Sequence, residues 1–128
     1  MPKQRSAGAS CSVRSSWSSR SGAHNVDEVT DETFADEVLA SPVPVLVDFW
    51  APWCRPCDAI EPHLVAIAEE WGVRLVKLNI DESLAVPGRY GVLALPTVML
   101  FTDGEPRETV HGAHPRSHYE KAFAPLLR

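Results

Sequence analysis

No apolar run in this 128-residue chain approaches the ~20 residues of a membrane-spanning helix. Cysteine is scarce. There are three, and Cys11 has no Cys or His neighbour in sequence, which argues against a disulfide-stapled secreted domain. Acid is missing from one end: the first 26 residues hold eight serines, four basic residues (Lys3, Arg5, Arg14, Arg20) and no Asp or Glu. That stretch has neither the periodicity of a packed element nor the continuous apolar core of a secretory signal. We read residues 1–24 as a disordered Ser/Arg-rich tail and 25–128 as one domain, long enough for a hydrophobic core. A cytoplasmic location is expected. The alternative is organellar, because a Ser/Arg-rich, acid-free leader has the composition of a transit peptide.

Charge follows the same boundary. The chain has 12 basic and 17 acidic residues; without the four basic tail residues 8 and 17 remain, a net of −9 for Asp27–Arg128. So acidic a domain is a poor fit to phosphate backbones. Neither a nucleic acid nor a membrane is expected as partner, and the chain is expected to be a monomer. No metal set is read. His63 belongs on a helix surface, and His111, His114 and His118 straddle a strand end and a helix start.

What is present alternates between strand and helix. Asn25–Val29 reads as a short first strand. Thr30 can cap a helix reaching Ala40, with Phe34, Val38 and Leu39 on one face, and Ser41-Pro42-Val43-Pro44 ends it. Val45–Trp50 reads as a central strand buried on both faces. The next helix begins at Cys54 and ends near Trp71-Gly72, with Ile60, Leu64, Ile67 and Trp71 at helical spacing, Gly72 as C-cap and a kink at Pro62. Val73–Ile80 is a strand, and Asp81–Tyr90 a short helix broken by Pro87-Gly88. Thr97–Phe101 and Pro106–His111 form a hairpin across Asp103-Gly104, with Pro106 at the strand start. Pro115 opens a last helix whose apolar face carries Tyr119, Phe123, Leu126 and Leu127. The order predicts an α/β fold: a central mixed sheet of about five strands flanked by about four helices.

The chemistry centres on Cys54-Arg55-Pro56-Cys57, directly after the central strand. A C-x-x-C beside a βαβ pattern is a dithiol redox signature. A helix N-terminus favours a thiolate at Cys54, the exposed nucleophile, and leaves Cys57 one turn inward to resolve the mixed disulfide. Half of a zinc site and two inert thiols are the competing readings. Asp48 is a carboxylate in an otherwise apolar strand, six residues before Cys54. Burial raises such a group's proton affinity and suits a proton acceptor for Cys57. Lys77, on a strand expected to pair nearby, is its candidate partner. The plainer alternative is a solvated strand-end Asp and a surface Lys. Pro96, in Leu95-Pro96-Thr97, cannot be read as cis from its residues alone.

Together these segments resemble the thioredoxin family. Val47-Asp48-Phe49-Trp50-Ala51-Pro52-Trp53-Cys54-Arg55-Pro56-Cys57 is similar to its active-site segment, and Lys77-Leu78-Asn79-Ile80-Asp81 to its third strand. Tyr90-Gly91-Val92 with Leu95-Pro96-Thr97 is similar to the approach to its cis-proline loop, and Val110-His111-Gly112-Ala113 to the stretch whose glycine faces the active site. The resemblance covers roughly residues 25–128. It implies the thioredoxin fold and protein-disulfide reduction through a redox-active Cys54–Cys57 disulfide with no other cofactor. It also implies disulfide-containing protein substrates and a thioredoxin-reductase-like recycling enzyme. Asp48 becomes the buried proton acceptor with Lys77 beside it. Trp53, Arg55, Pro56, Leu95, Pro96, Thr97 and Gly112 become the docking surface, Pro96 cis and the backbone near Leu95 pairing with an extended substrate.

Two departures from the family pattern are visible. Arg55 stands where the family usually has Gly, and Asp58 where a basic residue usually follows the second cysteine. Arg55 favours the thiolate and raises the reduction potential; Asp58 opposes it. The alternatives to a reductase are a redox-regulated binding module or chaperone, and a more oxidising oxidase or isomerase.

Overall fold

A computed structural model describes residues 26–127; the tail expected at 1–24, with Cys11, lies outside the described residues. Five strands form one sheet in the order β1-β3-β2-β4-β5: β1 (Val26–Val29), β2 (Val45–Trp50), β3 (Arg74–Asn79), β4 (Thr97–Thr102) and β5 (Glu105–His111). The first three are mutually parallel, and β4 and β5 run antiparallel to their neighbours. Among the described residues four helices accompany them: α1 (Ala35–Leu39), α2 (Arg55–Trp71), α3 (Ala85–Arg89) and α4 (Arg116–Phe123), with a 3-10 turn at Ala124–Leu127. The sheet and helix count are those the sequence pattern predicts.

β2 is central because nearly every residue in it is apolar, and alternate side chains serve opposite faces. Val45, Val47 and Phe49 join Val29, Phe34, Val38, Val86 and Phe101 in one core. Phe34, Tyr90 and Phe101 pack there with ring centroids 5.3–5.9 Å apart. Leu46 faces the opposite core of Ile60, Leu64, Ile67, Tyr119 and Phe123, under α2 and α4. Asp48, in phase with Leu46, therefore points to the α2 side.

The long helix contains Pro62 and ends, as expected, at Gly72 with φ 69°, a left-handed cap that glycine adopts without penalty. Other elements differ in detail. In place of an α-helix capped by Thr30, Thr33 Oγ1 accepts the Thr30 N–H at 2.8 Å. The following turns are π-wound over Ala35–Leu39, the Ala40 N–H reaching Ala35 O at 2.9 Å. The helix expected over Asp81–Tyr90 begins only at Ala85, because Asn79 Oδ1 takes the Asp81 N–H at 2.8 Å and turns the chain. Pro87-Gly88 does not break it: Pro87 lies in the first turn, where no N–H donor is required. Pro106 is the second residue of β5, beside a bulge that leaves Arg107 out of register. Pro115 is the N-cap of α4, and Leu126 and Leu127 pack from the 3-10 turn.

One tie crosses the structure to the site. Asp31 places both carboxylate oxygens on the first N–H groups of α3, from Ala85 and Val86, each at 2.9 Å. Desolvation opposes the charge, but these backbone bonds outweigh it and hold the Asp31 carboxyl below its ordinary value. The Asp31 N–H in turn donates to Ser83 Oγ at 3.1 Å. Because α3 leads into the loop over residues 91–96, Asp31 steadies one wall of the site. Asp31→Ala is expected to lower stability by about 1 kcal/mol, the usual size for a lost cap, read as a reduced urea midpoint at unchanged slope.

Candidate active site

The turn between β2 and α2 delivers the two cysteines. Ala51 O accepts the Cys54 N–H at 3.0 Å. Cys54 is the extended N-cap of α2, and its Sγ accepts the Cys57 N–H at 3.2 Å. Pro56 sits in the first helical turn, where its missing donor costs nothing. Cys54 and Cys57 are joined as a disulfide with Cα atoms 5.4 Å apart, so the fold is seen in its oxidised form. The pair packs with Ala51, Trp50, Ile80 and Leu95.

Beside the disulfide lies an open groove of about 530 Å³. Trp53, Cys54, Arg55 and Pro56 form one wall; Ile80 and Val92 to Leu95 form the other. Its rim carries two large exposed apolar side chains, Trp53 at 65% and Leu93 at 96%. Trp53 is held in place, its indole N–H donating to both Asp81 carboxylate oxygens at 3.1 and 3.3 Å. The opposite loop is tied from behind. The Leu95–Pro96 bond is cis, Pro96 O accepts the Gly112 N–H at 2.8 Å, and Thr97 Oγ1 donates to Ala94 O at 2.7 Å. Gly112 has φ 88°, a conformation in which a side chain would be strained.

The structure thus gathers Trp53, Arg55, Pro56 and Leu95 around the groove. Pro96, Thr97 and Gly112 brace the loop and are not part of its lining; Thr97 is fully buried. Sequence reasoning passed over Ile80 and Val92 to Ala94. Only the short apolar run Val92-Leu93-Ala94-Leu95 hinted at them, and so short a run does not say whether it is packed or exposed. Asp31 was also missed, because its partners are more than 50 residues away. Among the described residues no group of three or more His, Cys, Asp or Glu is arranged to hold a metal.

A cluster of charges surrounds Asp48. Asp48 is 1% exposed and its Oδ1 has no hydrogen-bond partner. Burial raises its pKa to about 7; the Lys77 charge opposes this, while Glu61, Glu28 and Asp58 add to it. Lys77 is opposite Asp48 in the β2–β3 register, as the paired strands suggested. Its ammonium, however, bonds Glu61 Oε1 at 2.8 Å and sits 4.2 Å over the Trp50 ring. Glu28, opposite Lys77 on β1, also has its pKa raised, first by burial. Glu61 was not singled out from the sequence, although it lies one helical turn after Cys57.

Comparison with known proteins agrees with this geometry. A family model described as Thioredoxin matches residues 25–124. The chain is 46% identical over 101 residues to the thioredoxin of Porphyra purpurea, covering 77% of this chain and 94% of that protein. It is 50% identical over 91 residues to thioredoxin 1 of Synechococcus elongatus, covering 70% and 85%. It is 52% identical over 91 residues to a protein named thioredoxin M-type, chloroplastic, of Chlamydomonas reinhardtii, covering 70% and 65%.

The Asp48 environment fixes a sign. Its folded pKa lies above the unfolded value of ~3.9, so the folded form binds more protons and stability falls as pH rises between the two. Asp48→Asn is therefore expected to stabilise the oxidised protein at pH 8 by up to about 4 kcal/mol, with the gain fading towards pH 4. Denaturant unfolding at the two pH values measures it.

Proposed function

The chain belongs to the thioredoxin family and is a thiol-disulfide oxidoreductase with protein-disulfide reductase activity, and we propose the following division of labour among its residues. In the reduced protein the Cys54 thiolate attacks one sulfur of a substrate disulfide. A Cys54–substrate disulfide forms and one substrate thiolate leaves. Cys57 loses its proton towards Asp48 and attacks Cys54 Sγ, releasing the second thiolate and closing the Cys54–Cys57 disulfide. Two electrons have then passed to the substrate, and a thioredoxin-reductase-like dithiol or flavin enzyme returns them. The observation that carries this reading is the Cys54–Cys57 disulfide at the end of an open groove with an apolar rim.

The roles rest on accessibility and charge. Cys54 is not the exposed residue expected, at 5% against 2% for Cys57, but it lines the groove and Cys57 does not, which favours Cys54 as nucleophile. The helix N-terminus supports its thiolate, as does the neighbouring Arg55 guanidinium. Asp48, buried and with its pKa raised to about 7, suits a group that takes a proton near neutrality. Lys77 acts on it by charge through space. Trp53, Arg55, Pro56 and the Leu95 backbone meet an extended protein segment containing the target disulfide, while Pro96, Thr97 and Gly112 shape the loop that receives it.

Location is read as cytoplasmic for the domain at 25–128. Among the described residues no helix is long and apolar enough to cross a membrane. An organellar address is the second reading, favoured by the acid-free Ser/Arg-rich leader at 1–24 and by two relatives whose names say chloroplastic.

Four measurements test this account. Cys54→Ser is expected to abolish reduction of insulin disulfides, whereas Cys57→Ser is expected to accumulate mixed disulfides with client proteins through Cys54. Retained turnover in Cys54→Ser would overturn the assignment. The reduction potential of the pair is expected nearer to ~−270 mV than to the ~−120 mV of a strong oxidant. In a chloroplast import assay, loss of import on deleting residues 1–24 would establish the organellar reading; absence of import by the full chain would leave the cytoplasmic one.

A further inference from the structure

Asp48 receives less help from Lys77 than the strand register offers. The two residues are directly opposite across β2 and β3, yet the ammonium is bonded to Glu61 Oε1 at 2.8 Å and Asp48 Oδ1 is left without a partner. The carboxylates outnumber the lysine. Glu61 and Asp58 face Asp48 from α2, and Glu28 from β1, against the Lys77 charge from β3. On α4 the Tyr119 hydroxyl feels the Asp48 charge but spends its own proton on Gly112 O at 3.0 Å and accepts the His114 N–H. β4 contributes only the apolar Val98 at that level. Of the acidic groups, Glu61 alone touches the lysine. Its side chain is the more exposed of the two, at 33% against 15% for Lys77.

We propose that Glu61 is a positioning residue: by holding the Lys77 ammonium away from Asp48, it lets the buried carboxylate keep its proton to a higher pH than a lysine-bonded one would. The consequence falls on the resolving step. A carboxylate that is half protonated near neutrality both receives the Cys57 proton and returns it, whereas one bonded to Lys77 stays ionised and is a weaker base. The Glu61 carboxylate is bonded to Lys77 and does not line the groove, and it acts through Lys77 and Asp48. This deepens the reading of Asp48 as proton acceptor and rests on it.

The test is an NMR titration of the Asp48 carboxyl carbon in the reduced full chain, with the pH profile of insulin reduction measured in parallel. Glu61→Gln is expected to move the Asp48 midpoint down by about half a unit or more, since removing a like charge and freeing the lysine act in the same direction. The corresponding inflection in the rate profile is expected to follow. Glu70→Gln, a charge removed further along the same helix, is expected to leave both in place. In a Lys77→Met background the Glu61→Gln shift is expected to shrink. An unmoved or raised midpoint in Glu61→Gln would overturn the proposal, as would a shift of equal size in both lysine backgrounds. A parent midpoint in the ordinary carboxylate range of ~3.9 would instead overturn the role given to Asp48 itself, a result distinguishable because it appears before any substitution.

Discussion

Burial of β2 on both faces is the constraint on which the rest depends. One strand of six residues supplies side chains to two separate cores, pairs parallel with β3 and antiparallel with β4, and ends where the dithiol begins. Strand direction and helix N-terminus are thereby fixed relative to each other. The Cys54 N–H bond to Ala51 O and the Cys57 N–H bond to Cys54 Sγ are short-range consequences of that junction. A cysteine pair on a free helix end would have the same spacing but no buried carboxylate on the strand that leads to it and no loop opposite.

The same burial explains the electrostatics. A carboxylate at the centre of a sheet must be neutralised, paired or left with a high proton affinity. Here the lysine that the register supplies is shared with an acidic helix, and Asp48 remains mostly desolvated. The stability lost to such a group is the expected companion of a functional one: a fully paired Asp48 would suit the fold better and the proton transfer worse.

Much of this was legible in the sequence, and what escaped has a common cause. β2, α2 and the hairpin were readable because their periodicity, caps and turn residues are local signals, and the C-x-x-C carried its chemistry on its face. Asp48 stood out as the one charge in an apolar strand. The misread pieces depended on distant partners. α3 begins where Asp31 holds it, across more than fifty residues of chain, and the expected break at Pro87-Gly88 disappeared because the helix starts late enough to put Pro87 in its first turn. Lys77 was correctly set beside Asp48, but the Glu61 that holds its ammonium comes from a third element, and strand pairing carries no information about which carboxylate wins. Gly72 was readable as the C-cap it is, whereas the left-handed conformation of Gly112 after β5 left no local signal beyond the glycine itself.

The groove finally shows how so acidic a domain can take protein partners. A net of −9 over residues 27–128 gives little long-range attraction for acidic clients, and charge steering is screened within ~8 Å at physiological salt. On the proposed reading, recognition at the site uses short-range terms instead. Trp53 and Leu93 offer apolar area on the rim, and the loop before Pro96 is anchored from behind through Gly112 and Thr97, so its backbone is ordered before a partner arrives. Prior ordering lowers the entropic cost of pairing with an extended segment. Backbone pairing and apolar contact are both tolerant of sequence, which suits an enzyme whose substrates share a disulfide and little else. Arg55 is the one charged residue among those that line the groove, an exposed cation beside Cys54 in a domain otherwise rich in carboxylates, so the charge of a segment entering the groove meets a single fixed sign there.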